Sequence, residues 1–249
     1  MEKGKVISVV SGKGGTGKTL FAANIGALLA LQGKKIALLD LDLGLRNMDL
    51  CLGLENKVVF NVMDVIWGIC GIKRAMVKDK RFKDNLYLLA ASHIGDERDI
   101  TPLHVEVLCN RLRNDFDYII IDAPAGAGDS LLMATNGADK VIIITEPENA
   151  ALRDADTVYL ELQKMGIKDV CCVINKVKSE LMAVGATPGP DAIAGSIQMP
   201  VAGFIQYDDN IFIANNRGVP VVLKPDTYIE KNFKKILDRI LQGEYKRCF

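Results

Sequence analysis

The amino-acid sequence predicts a three-layer α/β domain: a doubly wound, mostly parallel sheet with helices on both faces. Three observations carry that expectation. Short β-branched runs alternate with helix-length amphipathic stretches along the chain, the pattern that right-handed βαβ crossovers produce. Several runs are apolar at every position, as in Val141-Ile142-Ile143-Ile144, and such strands must be buried on both faces. The length, 249 residues, suits one large domain of this class spanning 1–249.

The elements follow in order. Residues 5–10 form the first strand, ending in a glycine-rich turn, and a helix is expected over 20–31. Further strands are expected at 35–39, 85–91, 118–122, 140–145, 169–175 and 201–205, each rich in Val, Ile or Leu. The 3.6-residue period places the other clear helices at 101–114, 150–165 and 227–241. Residues 178–190, with their Gly and Pro, read as a mobile loop. Ligands of such sheets bind beyond the carboxyl ends of the strands.

Composition narrows the function classes. Lys plus Arg and Asp plus Glu are equal at 31 each, so no global basic field exists to hold nucleic acid. Cys51, Cys70, Cys109, Cys171, Cys172 and Cys248 show no CxxC spacing, and the only histidines are His93 and His104; a cysteine or histidine metal site is not expected. The polar start, Met1 to Lys5, does not read as a signal peptide. Free thiols in a reducing, cytoplasmic compartment are therefore expected. No apolar run approaches the roughly 18 residues that span a bilayer, which leaves peripheral membrane contact.

The first strand runs into Ser11-Gly12-Lys13-Gly14-Gly15-Thr16-Gly17-Lys18-Thr19, which satisfies G-x-x-x-x-G-K-[ST] between a strand and a helix. Glycines let the backbone turn tightly so that its N–H groups meet phosphate oxygens, and the following helix adds its positive dipole end. Lys18 supplies charge to the β and γ phosphates and the Thr19 hydroxyl ligates Mg²⁺. Gly12 to Thr19 thus read as the cradle of a nucleotide triphosphate. Lys13 is a second cation where an ordinary loop of this kind needs none; it is either a solvated lysine or a group that neutralises charge on the transferring phosphoryl oxygens. Asp40 and Asp42 close the second strand and Asp122 closes the strand from Tyr118. Carboxylates there either complete a Mg²⁺ site or cap the next turn. Asn175, at the end of another strand, either reads a base edge with its donor and acceptor or forms a turn.

Gly12-Lys13-Gly14-Gly15-Thr16-Gly17-Lys18-Thr19 resembles the deviant Walker A loop of the MinD/ParA ATPases, and the resemblance extends over nearly the whole chain. It implies that Lys13 reaches across a homodimer interface to the partner's ATP. It also implies that Asp42 orients the attacking water, that Asp122 holds Mg²⁺ through water with Asp40 supporting the shell, and that Asn175 contacts adenine. Ala123-Pro124-Ala125-Gly126 then resembles a switch that moves with the γ-phosphate. Asp42-Leu43-Gly44-Leu45-Arg46-Asn47-Met48-Asp49, Gly53-Leu54-Glu55-Asn56, Asp64-Val65-Ile66 and Leu152-Arg153-Asp154-Ala155-Asp156 are similar to the MinD branch, which acts at the division site. That branch implies a slow ATPase, regulators of the MinC and MinE kind, and peripheral attachment to the inner membrane. The chain departs from it at Ala127-Gly128-Asp129-Ser130, after the switch, and at Gln206-Tyr207-Asp208-Asp209, near the second base-contacting loop.

Two features bear on membrane contact. Ile229, Phe233, Ile236, Leu237, Ile240 and Leu241 form one helical stripe with Lys231, Lys234, Lys235 and Arg239 around it. Such a stripe packs on a sheet or lies on anionic lipid. The short basic and aromatic tail, 243–249, carries Lys246, Arg247 and Phe249 and would bind weakly alone, more tightly as two copies in a dimer. Competing readings are a flagellar-number regulator, a ParA-type partition protein, an iron-sulfur assembly ATPase and a scaffold that never turns over nucleotide.

Overall fold

The structure is a computed structural model that describes residues 3–43, 45–93 and 99–245. The expected tail residues Lys246, Arg247 and Phe249, and Met1 of the polar start, lie outside the described residues. The strands are β1 (Lys5–Val10), β2 (Ile36–Asp40), β3 (Val77–Lys78), β4 (Leu86–Leu89), β5 (Tyr118–Asp122), β6 (Lys140–Thr145), β7 (Val170–Val177) and β8 (Val201–Gln206). They form one sheet in the order β3-β4-β2-β5-β1-β6-β7-β8. Every pairing is parallel except β3 with β4.

The helices are α1 (Lys18–Leu31), α2 (Met48–Cys51), α3 (Val62–Ile66), α4 (Ile72–Ala75), α5 (Pro102–Leu112), α6 (Asp129–Thr135), α7 (Asn149–Lys164), α8 (Ser179–Ala183), α9 (Pro190–Ser196), α10 (Asp209–Asn216) and α11 (Tyr228–Gln242). Side chains of each strand alternate between two cores, as a period of two requires. Val6, Ile119, Ile121, Val141 and Ile143 face one core with Leu108 of α5, Leu131 of α6 and Val158 and Leu162 of α7. Ile7, Val9, Leu38, Ile120 and Ile142 face the other with Phe21 and Ile25 of α1 and Phe233 and Leu237 of α11. The three-layer arrangement is as the sequence predicts.

Four details differ from the expectations or decide between them. The two-residue β3 is too short for any periodic signal. Strand β7 continues to Val177, so Asn175 lies within the strand and not at its end. The irregular register between Ile174 and Val177 is the reason, since a bulge lets pairing resume after an interruption. Residues 178–190, expected as a loop, contain α8 and run into α9. In α11, Ile229, Phe233, Ile236, Leu237 and Ile240 are buried while Leu241 is 36% exposed. Its stripe is thus the sheet's cover and is not available to lipid. Among the described residues no helix is long and apolar enough to cross a membrane.

Candidate functional site

Strand β1 lies between β5 and β6. Its own crossover through α1 passes over β5 to β2, while the crossover from β5 passes over β1 to β6. Connections leaving in opposite directions open a crevice at the carboxyl end of β1, and the glycine turn sits there. The helix that follows, α1, begins at Gly17, which has φ 95° and ψ 25°, with no side-chain cap and no acidic residue in the first turn. Its first N–H groups are therefore available to an anion. Gly17 is required twice over: its backbone is left-handed, and a Cβ there would stand 2.4 Å from Asn175 Nδ2. Gly12 is required by packing, because a Cβ would stand 2.7 Å from the Asp154 carbonyl oxygen of α7.

A cavity of about 700 Å³ opens over this turn. Gly14, Gly15, Gly17, Lys18, Thr19, Asp42 and Ala125 line it, and Leu45, Leu50, Glu55 and Asn215 to Gly218 form the far wall. Lys18 is only 7% exposed, and a buried ammonium calls for an anionic ligand. Asp40 and Asp122 are register partners on β2 and β5, and both are fully buried. Neither Asp122 oxygen completes a hydrogen bond within the described protein, and neither does the buried Thr16 hydroxyl. A fully buried carboxylate with no hydrogen bond suits a cation site, and an uncapped helix end beside a buried lysine suits phosphate. The residues fit a magnesium nucleotide.

Burial lifts the Asp122 carboxyl well above the ordinary carboxylate range, and the neighbouring Asp40 charge adds to this, while the nearby Thr19 hydroxyl and Lys18 oppose it. Asp40 is pushed up to about 7, chiefly by burial, with backbone N–H groups of Asp42 and Met48 pulling the other way. Those N–H groups donate to the two Asp40 oxygens at 3.0 and 3.2 Å, so Asp40 also ties the turn leaving β2 to α2. Asp42 is half-buried; burial raises its pKa and Lys18 lowers it.

Gly12, Thr16, Asp40, Asp122 and Asn175 lie behind or beside the cavity lining, and so does Lys13. Two residues of the expected set stand differently from a simple reading of the motif. Lys13 has its side chain 48% exposed and its Nζ 3.4 Å from Glu148 at the start of α7. An exposed pair of this kind holds weakly, so the lysine is free to be drawn elsewhere. Asn175 is buried, and its amide nitrogen donates to the Thr16 carbonyl at 2.8 Å. In this arrangement its donor braces the loop and its carbonyl oxygen is left as the acceptor. Gly126 of the switch segment has φ 108° and donates its N–H to the Ser11 carbonyl at 2.9 Å, linking the switch to the turn. Sequence reasoning did not find Glu148, nor the wall from Asn215 to Gly218, since only the folded chain brings them to the glycine turn. Arg46 was noted as part of a resemblance, but its contacts with Asp49 at 2.5 Å and with His93, which fix the segment after β2, have no signature in spacing.

Comparisons with known proteins agree with this geometry. Residues 4–170 match a family model described as an AAA domain, and residues 103–241 match one described as a NUBPL iron-transfer P-loop NTPase. The chain is 39% identical over 239 residues to the septum site-determining protein MinD of Bacillus subtilis, covering 96% of this chain and 89% of that one. It is 40% identical over 243 residues to MinD of Thermotoga maritima, covering 97% and 89%. Among solved structures, the MinC:MinD cell division protein complex of Aquifex aeolicus aligns with TM-score 0.88 at 36% identity, covering 96% of each chain. MinD of Pyrococcus horikoshii, complexed with Mg-ADP, aligns with TM-score 0.85 at 28% identity, covering 96% and 97%.

Proposed function

The chain belongs to the MinD/ParA family of P-loop NTPases, on its MinD side, and on that premise we propose that it is an ATP-dependent dimerisation switch that helps place the cell division site. In this reading it hydrolyses ATP slowly to ADP and phosphate, pairs with a second copy when ATP is bound, and recruits partners at the inner membrane surface. The observation that carries the proposal is the grouping of a buried lysine, an uncapped helix end and a fully buried carboxylate at the carboxyl ends of the adjacent strands β1 and β5.

The turn from Gly12 to Thr19 would hold the phosphates through backbone N–H groups, with Lys18 on the β and γ oxygens. Thr19 would ligate magnesium, Asp122 would hold it through water, and Asp40 would support the shell while anchoring the turn to α2. Magnesium, when bound, neutralises charge on the phosphate oxygens. Asp42, half-buried beside Lys18, would orient the attacking water. Lys13, released from Glu148, would neutralise the partner copy's phosphates. The relative solved from Aquifex aeolicus is a complex with MinC, and a protein partner of that kind is the corresponding expectation here, along with a regulator of the MinE kind.

Phosphate release from ATP with magnesium tests the proposal. Lys18→Ala should abolish nucleotide binding, and Asp42→Ala should bind nucleotide while losing hydrolysis by roughly a hundredfold or more. Wild-type turnover in Lys18→Ala contradicts the assignment.

A further inference from the structure

We infer that Lys176 is a positioning residue for the phosphate loop, fixing the direction of the backbone N–H groups that would meet the nucleotide; the inference rests on the nucleotide reading above. In a regular strand, side chains at successive positions point to opposite faces. At Asn175 and Lys176 that rule is broken. The β7–β8 register shifts between Ile174 and Val177, and Lys176 is one of the few non-glycine residues in the left-handed region, with φ 55°. A bulge of this kind re-aims side chains. Both consecutive side chains consequently reach the same glycine turn: Asn175 Nδ2 donates to the Thr16 carbonyl at 2.8 Å, and Lys176 Nζ donates to the Gly15 carbonyl at 2.6 Å.

The consequence follows from the planarity of the peptide bond. In a trans peptide the C=O and the following N–H point in opposite directions. Pinning the Gly15 carbonyl toward Lys176 therefore turns the Thr16 N–H the other way, and pinning the Thr16 carbonyl toward Asn175 does the same for the Gly17 N–H. These are loop N–H groups that a P-loop aims at phosphate oxygens. A glycine turn without such pins is free to rotate its peptide planes, and binding would then have to order them.

Lys176 is itself held. Its Nζ pairs with Glu146 at 2.8 Å, and the Glu146 side chain is only 16% exposed while that of Lys176 is 43% exposed. The carboxylate fixes the ammonium in place, so that the loop carbonyl meets an oriented donor and not a wandering one. The non-glycine left-handed backbone at Lys176 carries a conformational cost, which the paired contacts of its side chain offset.

Titration with a fluorescent ADP and a fluorescent ATP in the presence of magnesium tests this, using full-length protein and the variants Lys176→Asn and Lys176→Arg. Asparagine tolerates the left-handed backbone but cannot reach the Gly15 carbonyl, whereas arginine keeps a cationic donor. Lys176→Asn should bind diphosphate and triphosphate about tenfold more weakly, and by the same factor for both, because the loop N–H groups meet phosphates common to the two. Lys176→Arg should recover most of the loss and keep the wild-type nucleotide-free melting temperature. The inference is overturned if Lys176→Asn binds like wild type, if it loses only the triphosphate, or if its melting temperature falls in step with its affinity. Wild-type protein that binds neither nucleotide sinks the nucleotide reading and this inference together, and is distinct from a defect confined to the variant.

Discussion

Asp122 is fully buried and completes no hydrogen bond of good geometry, although the Thr19 hydroxyl lies near enough to favour its charge, so its ionised form is costly unless a cation stands beside it. The sign of its effect on stability can be worked out. Asp40 and Asp122 have pKa values raised in the folded chain, so folding is opposed wherever the unfolded carboxylates are charged. For Asp40 the cost is absent below the ordinary value of 3.8, grows as pH rises toward about 7, and stays constant above it; for Asp122 the sign is the same. For Asp40 alone it is of order 4 kcal/mol. Nucleotide-free protein should therefore melt at a lower temperature at pH 8 than at pH 6, and magnesium nucleotide should narrow that difference. Asp122→Asn should raise the nucleotide-free melting temperature at pH 8 and lose magnesium-dependent nucleotide binding, an exchange of function for stability. A nucleotide-free melting curve for Asp122→Asn that lies below wild type would contradict this. At this scale the sequence exposed Lys18, Thr19 and the strand-end aspartates, because each stands at a fixed offset from a glycine or a strand. It did not expose Glu148, Glu146 or the brace at Lys176, because these meet the turn only through folding.

The helix α11 shows why element boundaries and burial have different legibility. Its apolar stripe was plain from periodicity, but the same stripe serves a sheet or a bilayer equally well. Contact decides: Phe233 is fully buried with its ring centroid 6.0 Å from that of Phe21 in α1. Phe233→Ala should cost about 3–5 kcal/mol in denaturant unfolding, and a loss under about 1 kcal/mol would mean that the helix is not packed as described. Long strands and helices were readable because a period repeats over them. The two-residue β3 and the bulge in β7 were not, since neither spans a period. The bulge is nonetheless the irregularity that turns Asn175 and Lys176 to the phosphate turn, in keeping with local departures from regular structure clustering where a site is built.

For the molecule as a whole, the proposal makes Lys13 the residue on which an ATP-bound dimer would depend. Its exposed contact with Glu148 costs little to break, and α7, which carries Glu148 at its start, also packs its Asp154 carbonyl against Gly12. The nucleotide turn and the α7 surface are thus in direct contact. A tail presented twice in a dimer gains avidity, so removal of residues 243–249 should abolish ATP-dependent cosedimentation with anionic vesicles. Unchanged cosedimentation would mean that the tail is not the anchor. The central claim is that ATP joins two copies through Lys13, and light-scattering mass in solution tests it most directly. With ATP and magnesium the Asp42→Ala variant, which should not reset, is expected at about twice the 27.2 kDa chain mass, while with ADP, without nucleotide, or with Lys13→Ala added, it should remain at the single-chain mass. A single-chain mass under ATP, or a doubled mass that Lys13→Ala leaves intact, would contradict the account.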